Sequence, residues 1–272
     1  MERIDAVPTE QPTDTAAAWV PFEQTNIGGF QIVTASRTEL AAALVADCIS
    51  AQKTMRRPRL VFDANGHALS LRETSKTYRS AVEKADVIHA DGGFLVTLSR
   101  WLGRKRISER SATTDMIHDC AKVAAENNLS FFIFGGPEDV NHRCVSILKE
   151  MYPSLRIVGR RSGYFESGEE DSIVAEINMA QPDILWVGLG KPLEQVFCAR
   201  WRTELKCTWM ITCGGCFNYI SGHYKRAPMF MQENNIEWAF RAFSSKRLFL
   251  RYLFTNIHAI YVVVKYQIIR NL

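Results

Sequence analysis

Five short stretches of this 272-residue chain bring glycine together with small or polar residues in a way that suits a nucleotide or a phosphate. They read Asp63-Ala64-Asn65-Gly66, Ala90-Asp91-Gly92-Gly93, Gly135-Gly136-Pro137-Glu138, Gly188-Leu189-Gly190-Lys191-Pro192 and Cys213-Gly214-Gly215. Each follows an apolar run that reads as a strand. Asp91 and Asn65 project polar groups there, and Gly135-Gly136-Pro137 opens a helical stretch whose first backbone N–H groups are free to meet an anion. One such turn is weak evidence, because a strand-to-helix connection often needs glycine for backbone reasons. Five at one edge of a sheet suggest a ligand site.

A second source of chemistry is the C-terminal tail. Residues 238–272 contain no Asp or Glu but six basic residues: Arg241, Lys246, Arg247, Arg251, Lys265 and Arg270. The chain carries 33 basic and 29 acidic residues, so the tail is +6 and the remainder is −2, which gives the formal net charge of +4. A basic, apolar segment prefers an anionic membrane surface or a phosphate-bearing ligand. On a helix, Arg247, Arg251, His258 and Lys265 fall within about 40° of one another, and the other faces are mostly apolar. The longest uncharged run, Tyr252–Val264, is shorter than the roughly 20 residues that cross a bilayer. A helix lying in the membrane interface is one reading; a helix packed on its own domain or on another subunit is the other.

The elements that position these residues follow from the apolar runs. Strands are expected near 59–63, 86–90, 130–135, 155–159, 183–188 and 207–212, with amphipathic helices over 38–52, 67–84, 114–127, 138–151, 169–180 and 192–204. This alternation predicts an α/β fold, a Rossmann-like parallel sheet with helices on both faces, plus a basic amphipathic C-terminal helical appendage. Ligands in such folds bind at the carboxyl ends of the strands. The domain reading is a flexible leader over 1–25, rich in Thr, Pro, Glu, Gln and Asp, a catalytic domain over 26–237 and a membrane-associating appendage over 238–272. The leader lacks the basic start and apolar stretch of a secretory signal.

What is missing narrows the chemistry. The sequence has no GxGxxG or P-loop, no GxSxG elbow, no HExxH and no Asp-x-Asp pair. The seven cysteines are odd in number and scattered, as expected of reduced thiols. Cys213-Gly-Gly-Cys216 has the spacing of a redox pair, but without a second pair to complete a zinc site it reads better as a glycine turn between two small apolar fillers.

Several motifs, in order, resemble the WecG/TagA/CpsF glycosyltransferases. They are Asn65, Ala90-Asp91-Gly92, Glu109-Arg110, Tyr152-Pro153, Gly163-Tyr164-Phe165, Pro182-Asp183-Ile184-Leu185 and Gly188-Leu189-Gly190-Lys191-Pro192. A C-terminal group follows: Gly222-His223-Tyr224-Lys225-Arg226-Ala227-Pro228, Ile236-Glu237-Trp238, Arg241, Arg247 and Arg251-Tyr252. The match departs from the family pattern at Ser111–Thr114, at Leu193-Glu194-Gln195, at Asn218 and at Gly93-Phe94.

The resemblance implies an inverting, metal-independent transferase with no cofactor. It would move a hexose from a UDP-sugar donor to a polyprenyl-diphosphate-linked sugar acceptor at the cytoplasmic membrane face, with no nucleic-acid partner. Asp91 is then the expected base, and Arg247, Arg251 and Arg110 are expected to meet the diphosphate. Asn65 would hydrogen-bond a hydroxyl, and Glu194 and Gln195 would contact the sugar or cap a helix. Gly92, Gly135, Gly136, Gly188, Gly190, Gly214, Gly215 and Asn218 would line the ligand. Arg226 is either a ligand contact or a structural partner of Glu237. Two other classes compete: a non-catalytic membrane-associated scaffold, and a nucleotide-binding oxidoreductase, which the absent dinucleotide fingerprint disfavours.

Overall fold

A computed structural model describes residues 22–51, 57–102, 105–166, 168–234, 237, 239–240 and 246–267. Most of the expected leader, residues 1–21, lies outside the described residues. Its last two residues, Gln24 and Thr25, begin strand β1 (Gln24–Ile27), which pairs antiparallel with β2 (Phe30–Val33). Gly28 and Gly29 between them both have positive φ, 58° and 83°, the backbone that a two-residue hairpin turn requires.

The main sheet has six strands, all parallel: β3 (Arg59–Ala64), β4 (Val87–Ala90), β5 (Ser130–Gly135), β6 (Arg156–Arg161), β7 (Ile184–Gly188) and β8 (Trp209–Thr212). Their spatial order is β4-β3-β8-β7-β5-β6. These are the six strands expected from the apolar runs. Their side chains alternate between two buried layers. Leu60, Phe62, Phe132, Phe134, Leu185 and Val187 point to one face, and Val61, Phe131, Ile133, Trp186, Trp209 and Ile211 to the other. The second face is covered by α1 (Arg37–Ala51), α5 (Thr113–Glu126), α6 (Glu138–Met151) and α9 (Cys216–Ile220). The first is covered by α2 (Gly66–Thr74), α3 (Lys76–Val82), α4 (Gly93–Trp101), α7 (Glu170–Ala180) and α8 (Leu193–Arg200). Burial of both faces explains why the inner strands read as continuous apolar runs, while the edge strand β6, Arg156–Arg161, is only half-buried.

The helix expected over 67–84 is two helices. Ser75 is extended (φ −122°), closes α2 with its N–H on the Leu71 carbonyl and caps α3 by accepting from the Tyr78 N–H. A short helix α10 (Met229–Glu233) and the long α11 (Lys246–Gln267) complete the described elements.

Helix α11 lies on α2 and buries Ala259, Val262 and Val263 in the first core layer. Gly66 makes room for it, since a Cβ there would sit 2.9 Å from Asn256 Oδ1. Polar contacts fix the register: His258 Nδ1 is 2.8 Å from Ser70 Oγ, and Glu73 accepts from Lys265 Nζ (2.6 Å) and the Tyr266 hydroxyl (2.7 Å). The basic stripe of the sequence is thus turned partly inward, because His258 and Lys265 are spent on α2. The outward face is apolar, with Phe254, Ile257, Ile260, Tyr261 and Val264 all exposed. Among the described residues no helix is long and apolar enough to cross a membrane.

Candidate active site

The carboxyl ends of β3 and β4 bring Asn65 and Asp91 together. Asn65 caps α2, its Oδ1 accepting from the Ala68 N–H at 3.1 Å, and its Nδ2 donates to Asp91 Oδ2 at 3.3 Å. The other oxygen of Asp91 accepts from the Thr113 N–H (3.0 Å) and hydroxyl (3.3 Å) at the start of α5. The half-buried Asp91 carboxylate therefore accepts from three donors on Asn65 and Thr113. Gly92 permits this closeness, as a Cβ would meet Asn65 Cβ at 2.9 Å.

Arg110 approaches from behind. Its Nε donates to the Asp91 carbonyl at 2.9 Å, and its Nη1 lies 2.8 Å from the buried Glu237 Oε2. Arg226 grips both oxygens of Asp115, one at 3.3 Å, and its Nη2 is 3.8 Å from the same Glu237 oxygen. Arg37 adds ion pairs at 3.3 Å to Asp115 and Asp119. Burial pushes the Asp119 carboxyl above its usual range against the pull of Arg37.

The glycines divide into two groups. Gly135 (φ +133°) would place a Cβ 2.3 Å from the Gly188 carbonyl oxygen, Gly163 would crowd Gly135 Cα at 2.9 Å, and Gly188 would strike the Phe217 ring at 2.7 Å. Gly135 and Gly163 are glycine because backbones touch, and Gly188 because the Phe217 ring lies against it. The Gly136 N–H donates to the Gly188 carbonyl, and the first turn of α6 carries two acidic residues, Glu138 and Asp139. Gly190 (φ +79°) by contrast has nothing within 4 Å of a Cβ position, and Gly214 and Gly215 have only contacts at 3.9 Å. The open part of the edge lies over β7 and β8. The Asn218 amide sits beside Gly215, with the exposed Tyr224 ring on the same side, edge-on to Tyr219 at 5.5 Å between centroids.

Glu194 and Gln195 lie beneath this opening and are fully buried. Glu194 Oε2 accepts from the N–H groups of Gly190 (3.0 Å) and Gly214 (2.9 Å) and so ties the β7 and β8 loops together. Gln195 Nε2 bridges Glu194 Oε1 (3.1 Å) and the Thr212 hydroxyl (3.3 Å), and that hydroxyl donates to Asp63 at 2.9 Å. Lys191 completes the cluster, bonded to Asp63 and 3.7 Å from Glu194. Burial pushes the Glu194 carboxyl up to about 7 against the pull of Lys191. Burial also works against the Lys191 charge, but Asp63 and Glu194 outweigh it and hold the ammonium above its ordinary range. His89, whose Nδ1 lies 3.0 Å from the Ser111 carbonyl, is held below its usual range by burial.

Cys213 and Cys216 are buried free thiols, and burial raises Cys213 far above the usual thiol range, the setting of inert fillers. Among the described residues no group of three His, Cys, Asp or Glu could hold a metal ion. Arg247 and Arg251 lie on α11, but their side chains fall outside the described residues. Sequence reasoning placed Asp63 and Lys191 in strand-end stretches and Thr113 at a departure from the family pattern, but gave none of them a role in the site. Thr113 is ordinary in composition, and a lysine between glycine and proline reads as a solvated loop residue.

A parallel sheet whose glycine-lined carboxyl edge presents a fixed carboxylate defines an α/β protein with a candidate ligand site at that edge. The chain belongs to the glycosyl transferase WecG/TagA/CpsF family, whose model matches residues 25–272. It is 27% identical over 182 residues, 67% of this chain and 70% of the relative, to the N-acetylglucosaminyldiphosphoundecaprenol N-acetyl-beta-D-mannosaminyltransferase of Staphylococcus aureus strain NCTC 8325 / PS 47. The protein of the same name from strain MRSA252 is 26% identical over the same shares.

Proposed function

We propose that this glycosyltransferase moves a hexose, of the glucose or N-acetylmannosamine type, from a UDP-sugar to a polyprenyl-diphosphate-linked sugar, with inversion and without a metal ion. The process served is exopolysaccharide or cell-envelope glycan assembly. The observation that carries the reading is the Asp91 carboxylate, held at a strand end by Asn65 and Thr113 beside an open glycine rim. In a single displacement the acceptor hydroxyl loses its proton to Asp91. Its oxygen bonds to the anomeric carbon, and the bond from that carbon to the β-phosphate oxygen breaks, leaving UDP with the electron pair. The rim at Gly190, Gly214 and Gly215 receives the donor with Asn218 at its border, and Glu194 and Gln195 hold that rim from below. Arg247 and Arg251 meet the diphosphate.

The relatives' name specifies an N-acetylglucosaminyl-diphosphoundecaprenol acceptor, which supports the acceptor class. The exposed apolar face of α11 supports peripheral attachment to an anionic membrane, where such an acceptor resides. The test is transfer from UDP-N-acetylmannosamine, its uronic acid and UDP-glucose to that acceptor, with and without EDTA. One donor is expected to react with EDTA present, and Asp91→Asn to abolish turnover while UDP still binds. EDTA-sensitive transfer overturns the metal-free mechanism. A folded protein that binds UDP but transfers nothing points to the scaffold reading.

A further inference from the structure

We infer that Glu237 is a positioning residue for the base, acting on Asp91 through Arg110. The inference rests on Asp91 being the base.

Asp91 is held by Asn65 and from two further sides, and those two holds lead to Glu237. Its backbone carbonyl accepts from Arg110 Nε at 2.9 Å, and the same guanidinium reaches Glu237 Oε2 at 2.8 Å. Its carboxylate accepts from Thr113, the first residue of α5, and two residues further on Asp115 is gripped by Arg226, whose Nη2, itself on Asp115, also lies 3.8 Å from Glu237. The Glu237 side chain is 3% exposed and that of Arg110 14%. A carboxylate so buried is stable only with its cations in place. Arg110 hydrogen-bonds the Asp91 carbonyl and is ion-paired with Glu237, so a buried carboxylate that fixes the guanidinium also fixes the base loop. Arg110 is thus tied to both the base loop and Glu237.

Glu237 also sets charge. Asp91 lies within electrostatic reach of the buried His89 and of the Lys191 ammonium, which Asp63 and Glu194 offset. Among the described side chains Arg110 is a further cation beside it, and Glu237 is a counter-ion of Arg110. Removing that charge leaves Arg110 to favour ionised Asp91, which moves the acid limb of the rate profile to lower pH.

The experiment compares the full chain with Glu237→Gln in two readouts, with Asp91→Asn alongside. The first is the pH profile of transfer from UDP-N-acetylmannosamine and UDP-glucose to N-acetylglucosaminyl-diphosphoundecaprenol. The second is amide exchange over 89–93 and 111–116, which needs no turnover. Expected are an acid limb at lower pH, a kcat lowered about 10- to 100-fold with donor KM little changed, and faster exchange over both segments. Unaltered exchange, or an unmoved limb whatever happens to kcat, overturns the inference. Turnover retained in Asp91→Asn overturns the base assignment itself, whereas turnover lost there with Glu237→Gln behaving as wild type removes only the coupling. If Glu237→Gln does not fold, Glu237→Asp, which keeps the charge and shortens the reach, takes its place, with faster exchange over 89–93 and 111–116 as the deciding readout.

Discussion

Lys191 is the residue whose role differs most from its appearance in the sequence. Its side chain is 6% exposed and neutralises two carboxylates, Asp63 and Glu194, that are themselves buried. Lys191→Met should therefore cost about 3–5 kcal/mol in chemical denaturation, because it strands buried charge. Adding Asp63→Asn should recover much of that loss. Glu194 gives a pH signature. Its folded value, about 7, lies above the ordinary 4.5, so the native state binds this proton more tightly than the unfolded chain does. The contribution is whole below 4.5 and is lost as pH rises to about 7. Stability measured across that window should fall less in Glu194→Gln than in the parent. Asp91 and Asn65 were legible as strand-end polar groups because they follow strands of unambiguous pattern. Lys191 was not, since nothing local distinguishes a buried loop lysine from a solvated one until Asp63 and Glu194, distant or turned inward, are placed around it.

At the scale of elements, the parallel strands were legible because a strand buried on both faces leaves a continuous apolar run. The β1–β2 hairpin was not, because Gln24-Thr25-Asn26 continues the polar composition of the residues before it. The break at Ser75 was hidden because the apolar period carries through it while the serine ends one helix and starts the next. Ser75→Ala should cost about 1 kcal/mol by loss of the α3 cap, read as a lower denaturation midpoint with an unchanged slope. The tail helix was legible as amphipathic, but which face turned inward was not. Ser70 and Glu73 on α2 decide that, and they come from a distant part of the chain.

For the whole molecule, the separation of a slightly acidic body from a basic tail becomes a question of surface. The outward face of α11 carries Ile257 at 60% and Tyr261 at 57% exposure. Replacing both with Glu should leave the melting temperature nearly unchanged and sharply reduce co-flotation with anionic phospholipid vesicles. An equal recovery with the vesicles would assign that face to something other than a membrane. Deleting 246–272 should reduce both vesicle recovery and transfer, and it also uncovers α2. The backbone contacts among Gly135, Gly163 and Gly188 carry a different consequence. That part of the floor carries no side chain of its own through which one sugar can be told from another, so donor preference has to be written in the rim. The exposed Tyr164, Leu193 and Tyr224, with Asn218, are positions where substitution leaves that floor untouched. A selection for altered donor use should gather its changes there and leave the three glycines alone, so that this scaffold can change its substrate without rebuilding its centre.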